Sequence, residues 1–110
     1  MEKVLYSTNL HDFESKGGAL MFYHDEEQVV LPYDDITEIT VQSNMSAKSG
    51  AYVKCMIESD GISLVIDSDN EQFFDVLFDM LCIELNVDMI ELFNISAAEI
   101  KTEKTVYKKN

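Results

Sequence analysis

Three stretches of this chain concentrate side chains able to do chemistry. His24-Asp25-Glu26-Glu27 puts one imidazole and three carboxylates into four consecutive residues. Asp67-Ser68-Asp69-Asn70-Glu71 sets oxygen-bearing side chains in a row, and His11-Asp12 pairs an imidazole with a carboxylate. Metal coordination is the first chemistry to weigh. An EF-hand loop starting at Asp67 needs Gly at its sixth position and Glu at its twelfth, where this chain has Gln72 and Phe78. Adjacent residues rarely converge on one ion, so 24–27 reads as a solvated turn and 67–71 as a helix cap. Nucleophilic catalysis is the second. A reactive thiol wants an imidazole or a helix N-terminus to lower its pKa; Cys55 falls in the inward row of a strand and Cys82 mid-helix among acids, so both read as packed thiols. No glycine-rich phosphate loop, Gly-x-Ser-x-Gly elbow, paired CxxC or HExxH is present. The expectation is a protein without catalytic residues, metal or cofactor.

Charge narrows the partners. The 110 residues hold 8 lysines, no arginine and 21 carboxylates, a formal net charge of −13. Residues 1–100 carry four lysines against twenty carboxylates, a net of −16, and residues 101–110 carry four lysines against Glu103, a net of +3. Binding a nucleic-acid backbone needs clustered cations, and bidentate base or phosphate contacts need arginine. Neither nucleic acid nor a membrane surface is therefore an expected partner. A basic protein surface is, because such a field attracts positive charge. The candidate contact residues are Asp25, Glu26 and Glu27 in the early turn, and Asp34, Asp35 and Glu38 around Pro32. Gln72, Asp75 and Asp79 join them as an i, i+3, i+4 stripe on a helix. The plainer use of the same carboxylates is solubility.

The elements that must position these residues follow from periodicity. Val4-Leu5-Tyr6 is a short apolar start, Ser7 to Lys16 is polar, and Gly17-Gly18 breaks the chain before the five-residue apolar run Ala19–Tyr23. Gln28–Leu31 returns as a strand, Pro32 stops it and favours a turn, and Ile36, Ile39 and Val41 lead into the next strand. Ser43 to Gly50 reads as a small-residue loop. Alternation on both sides of Asp60-Gly61 predicts a hairpin over residues 51–67, with Ile57 opposite Leu64, Cys55 opposite Ile66 and Lys54 opposite Asp67. Asp60-Gly61 suits a two-residue turn with positive φ at both positions. From Glu71 to Leu85 there is no Gly or Pro, and Phe74, Leu77, Phe78, Leu81 and Leu85 mark one helical face. Val76, Met80 and Ile83 flank that face and are the expected self-association surface. Asn86-Val87-Asp88 reads as a break before a second short helix. The fold class is thus α+β: a strongly bent antiparallel sheet or partly open β-roll of about six strands, capped by a C-terminal amphipathic helix. One domain spans residues 1–93, followed by a weakly structured basic tail, 94–110, in which Val106-Tyr107 can dock as an edge strand.

The stretch Gly18-Ala19-Leu20 through Leu31-Pro32-Tyr33-Asp34-Asp35-Ile36-Thr37-Glu38-Ile39 resembles bacterial pleckstrin-homology-like, GRAM-type domains, over roughly residues 3–86. The resemblance implies a bent sheet closed at one end by the helix, with binding loops at the other. Phosphoinositide binders of that family use a basic pocket in an early loop. Here that loop is His24-Asp25-Glu26-Glu27, which repels phosphate, so protein binding is the function the resemblance leaves open.

The expected function is a non-catalytic, acidic protein-interaction module that binds a basic protein surface, with a possible homodimer through the helix or the tail. The alternative is a bacteriophage-type anti-defence inhibitor that mimics the charge of DNA against a host nuclease or nucleic-acid-binding enzyme. The start Met1-Glu2-Lys3-Val4 lacks the features of a secretory signal, and two cysteines do not make a disulfide framework, so the cytoplasm is the expected location.

Overall fold

A computed structural model of the chain describes residues 3–43, 52–97 and 101–109. Among them are eight strands: β1 (Val4–Tyr6), β2 (Leu10–Lys16), β3 (Ala19–His24), β4 (Glu27–Pro32), β5 (Ile36–Ser43), β6 (Val53–Ser59), β7 (Ile62–Asp67) and β8 (Thr102–Lys108). They form a three-stranded sheet, β2-β3-β4, and a five-stranded sheet, β1-β7-β6-β5-β8. All pairings are antiparallel except β1 with β7. A π-helical segment (Asp75–Leu81) runs into α1 (Cys82–Leu85), and α2 (Met89–Ser96) follows. No helix among the described residues is long and apolar enough to cross a membrane.

The α+β class stands and a partly open sheet fits, with eight strands in two sheets in place of six. The two added strands are the ones whose composition hides them. β2 buries only Phe13, because a bulge at Asp12, held at φ +54°, breaks its alternation. β8 lies in the segment expected as a weakly structured tail. It pairs along β5 from Thr102–Ser43 to Lys108–Glu38, half-burying Val106 and Tyr107.

The hairpin of β6 and β7 has the expected register, with Lys54 opposite Asp67, Cys55 opposite Ile66 and Ile57 opposite Leu64. Its turn is built differently. Neither Asp60 nor Gly61 takes positive φ; Ser59 closes the turn, its Oγ donating to the Ile62 carbonyl (2.8 Å) and accepting from the Ile62 N–H (3.1 Å). Positive φ is used instead at Gly17 and Gly18, between β2 and β3 (+62° and +76°), where glycine meets no steric penalty. The loop expected at 43–50 lies, beyond Ser43, outside the described residues.

One core joins both sheets and the helices. Leu20, Phe22 and Leu31 meet Ile39, Ile57 and Leu64, and Phe73, Leu77, Leu81 and Leu92 close over them. Tyr6 bridges the sheets at their seam, edge-on to Phe22 (5.7 Å between ring centres).

The helix enters this core in a different phase from the one its 3.6-residue spacing predicts. Phe74, assigned to the core by periodicity, is exposed, and Phe78 is only partly buried; Phe73 and Val76 are buried in their place. Two features set the phase. Gln72 is anchored to β2, which turns Phe73 inward. The winding after it widens to i→i+5 hydrogen bonds, with the Cys82 N–H reaching the Leu77 carbonyl, so the inner face passes through Val76, Leu77, Leu81 and Cys82. Val76, at 1% exposure, is therefore no self-association residue, whereas Ile83 is exposed.

Candidate functional site

The nine expected contact residues fall into three separate places. Asp25, Glu26 and Glu27 sit at the β3–β4 turn, all exposed. Asp25 takes φ +55°, and its N–H donates to the Asn9 carbonyl (3.1 Å). Glu27 accepts from the Tyr6 hydroxyl (3.1 Å). Asp34 and Asp35 lie in a 3-10 turn (Tyr33–Asp35) at the far end of β4, with Glu38 just beyond on β5. The length of β4 sets these two groups roughly 17 Å apart at about 3.3 Å per residue. Asp75 and Asp79 are on the π-helical segment, both exposed.

One of the groups, and Gln72 of another, are engaged by the chain itself. Lys109 Nζ donates to the Asp34 carbonyl, the Lys109 N–H donates to the Thr37 carbonyl (2.8 Å), and Lys108 stands opposite Glu38. The C-terminal lysines thus lie beside the Asp34–Glu38 group, with Lys109 on a main-chain carbonyl. Gln72 is not part of a stripe with Asp75 and Asp79. Its Oε1 accepts from the Phe13 N–H (2.8 Å) and its Nε2 donates to the Phe13 carbonyl (3.2 Å), so both ends of the amide fill the gap left by the β2 bulge. Asn70 reinforces the joint, accepting from the Gln72 N–H (2.9 Å) and donating to the Leu10 carbonyl (2.9 Å).

The other suspected clusters make hydrogen bonds within the fold. His11 faces an acceptor on each side, Asp12 Oδ2 and the Asp25 carbonyl, both at 2.8 Å, and its ring stacks on Tyr23. The Asp25 carbonyl, then the Asp12 carboxylate, favour the doubly protonated ring and raise its pKa. Asp67 accepts from the Tyr52 hydroxyl (2.8 Å) and the Asp69 N–H (3.0 Å), the local bonds of a loop turning into a helix. Cys55 is fully buried, which pushes its thiol up to about 12, and burial also raises Cys82. Among the described residues no group of three or more His, Cys, Asp or Glu side chains could hold a metal ion.

What periodicity misses is an exposed aromatic cleft where the two helices meet. Phe74 and Phe78 are stacked with ring centres 6.1 Å apart and planes 12° from parallel, and Phe93 of α2 lies 6.4 Å from Phe78. Phe74, Phe78 and Phe93 line a cleft of about 390 Å³ with Ser96 and Ala97. The signal available in sequence was the pair of phenylalanines one helical turn apart, but that spacing is shared with core residues.

Asp75 and Asp79 each follow a cleft phenylalanine by one position, so a row of exposed carboxylates runs beside the aromatic row. The surrounding chain supplies no counter-charge: residues 55–100 contain eleven carboxylates and no Lys, Arg or His. Among the described residues the cation seen at these helices comes from β8, where Lys104 Nζ reaches Glu91 of α2 (3.0 Å). No family model, curated protein or solved structure matches this chain.

Proposed function

We propose that this chain is a non-catalytic, acidic protein-interaction module that binds a basic protein surface. The observation that carries the reading is the stretch from 55 to 100, which runs from β6 through β7 and both helices with eleven carboxylates and without a single cationic side chain. Like charges on one surface repel one another and cost stability; a partner bringing lysine or arginine removes that repulsion on binding and is steered in by the same field. The β3–β4 turn offers a second acidic contact. The Asp34–Glu38 group, already met by Lys108 and Lys109, contributes least.

A distant pleckstrin-homology-like relationship remains part of the proposal. Two sheets closed by a helix that follows the β6–β7 hairpin support it, while the parallel β1, the second helix and β8 are departures from that pattern. A cytoplasmic setting fits two free, buried thiols. The reading as a mimic of DNA charge is the weaker one, because a duplex surrogate wants long carboxylate rows and here the candidate carboxylates fall into three separate groups, one of them beside an aromatic cleft.

The test is capture on immobilised full-length chain from cell extract, at salt of about 50 mM and about 500 mM, bracketing strong and weak screening. The expected result is a basic partner retained at low salt and released at high salt. Recovery of no basic protein at low salt would refute the reading. Release of the captured protein by added duplex DNA would instead favour charge mimicry.

A further inference from the structure

We propose that the cleft of Phe74, Phe78, Phe93, Ser96 and Ala97 seats one large apolar side chain of a basic partner segment, whose flanking lysines or arginines meet Asp75 and Asp79. The inference rests on the reading of a basic partner and adds where that partner anchors.

Exposed aromatic surface is the first argument. Phe74 is 48% and Phe93 66% exposed, although both belong to helices whose other faces are packed into the core. Contiguous apolar surface rimmed by polar groups marks an interaction site more often than a solvated face. The cleft is also preformed. Phe74 packs edge-on against the fully buried Phe73 (5.1 Å between ring centres), and Phe73 follows the clamped Gln72, so the aromatic floor is fixed from below. A rigid aromatic pocket loses little freedom on binding, which is why such residues dominate interface energies.

Charge selects the occupant. A second copy of this chain would bring two acidic helix pairs together, and an anionic lipid surface would meet the same carboxylates; both arrangements are repulsive. A segment that presents Leu, Met or Phe with Lys or Arg around it satisfies both rows at once. Its anchor fills the cleft, and its cations lie over Asp75 and Asp79.

The experiment uses the full chain and two fluorescent peptides of equal charge, one an amphipathic leucine–lysine helix and the other lysine–glycine. The leucine–lysine peptide is expected to bind at least about tenfold more tightly, a loss typical of removing a central anchor. Phe93→Ala, which empties the cleft, and Ala97→Trp, which fills it, should each weaken that peptide by at least about tenfold and leave lysine–glycine binding unchanged. Both positions are exposed, so melting temperatures near wild type will show that the variants fold. Asp75→Asn with Asp79→Asn should weaken both peptides and flatten the salt dependence. Equal affinity for the two peptides, or folded Phe93→Ala and Ala97→Trp variants that bind normally, would overturn the cleft while leaving a basic partner in place. Failure of both peptides to bind at low salt would remove both readings. A dimer in sedimentation that Phe93→Ala dissociates would give the cleft to a second copy and overturn the proposal.

Discussion

Replacing Gln72 by Ala separates a structural clamp from a contact residue. The Gln72 amide makes two hydrogen bonds, at 2.8 and 3.2 Å, to the N–H and carbonyl of Phe13, whose side chain is buried against Phe22 (5.2 Å between ring centres). Truncation leaves both backbone groups beside a bulge that the neighbouring strand cannot close. Each unsatisfied, partly buried group costs about 1–3 kcal/mol. Water reaches this joint, so the lower half of the summed range applies, about 2–4 kcal/mol. For a domain near this size each kcal/mol lowers the melting temperature by about 4–8 °C, which predicts a fall of at least about 8 °C. Urea unfolding should show a lower midpoint with an unchanged m-value, and the Phe13 amide should lose its protection from hydrogen exchange. Gln72→Glu keeps the acceptor but turns an ionised oxygen toward the Phe13 carbonyl; it should be intermediate and should recover as acid protonates the new carboxyl, which can then donate. A Gln72→Ala variant within about 0.5 kcal/mol of wild type, the range of an ordinary surface change, would refute the clamp. Weaker binding of the leucine–lysine peptide at unchanged stability would return Gln72 to the contact surface.

Two further outcomes follow from the fold. Deleting residues 101–110 removes β8 and exposes the β5 edge; with Val106 and Tyr107 half-buried, the loss should be about 2–3 kcal/mol, and an unchanged urea midpoint would contradict it. His11 should stabilise the fold in acid. Its folded pKa is raised, chiefly by the Asp25 carbonyl, so its contribution is complete below the unfolded value of about 6.5 and disappears as pH rises through the folded value. The stability gap between wild type and His11→Asn should therefore be wider at acid than at alkaline pH, and a gap that is flat or widens with pH would rule the arrangement out.

The parts of this fold legible in sequence are those where two local signals agree. Cys55, Ile57, Leu64 and Ile66 alternate on both arms of a hairpin whose turn is marked by Asp60-Gly61, and a one-residue slip would have turned all four outward. Register was therefore fixed even though the turn itself closes through Ser59 and not through positive φ. Legibility fails where a distant partner decides. Nothing within β2 announces that Gln72, 59 positions further on, replaces the missing strand bonds at its bulge. The same clamp sets the helix phase, so Phe74 and Val76 exchange roles relative to an ideal α-helical pattern, and with them the core and the candidate site. The carboxylates were visible as residue types. Their grouping along the chain was visible too, but not the distance that β4 puts between the 25–27 turn and the 34–38 turn, nor the use of Gln72 as a clamp.

The distribution of the chain's own cations argues that the open charge serves recognition more than solubility. A protein needing only solubility gains nothing from setting cations beside one acidic region and sparing another. Here β8 delivers Lys108 and Lys109 to the Asp34–Glu38 turn and Lys104 to Glu91 on α2, while Lys3 holds Glu58 (3.0 Å) on the five-stranded sheet. Each of these contacts secures an edge of the fold: β8 against β5, α2 against β8, and the approach to β1 against β6. Among the described residues no lysine is seen to bridge Asp75 or Asp79, which lie beside the exposed aromatic cleft. Cations are thus spent where they hold elements of the fold together, and the carboxylates left to an outside partner include Asp75 and Asp79, which border the exposed Phe74 and Phe93.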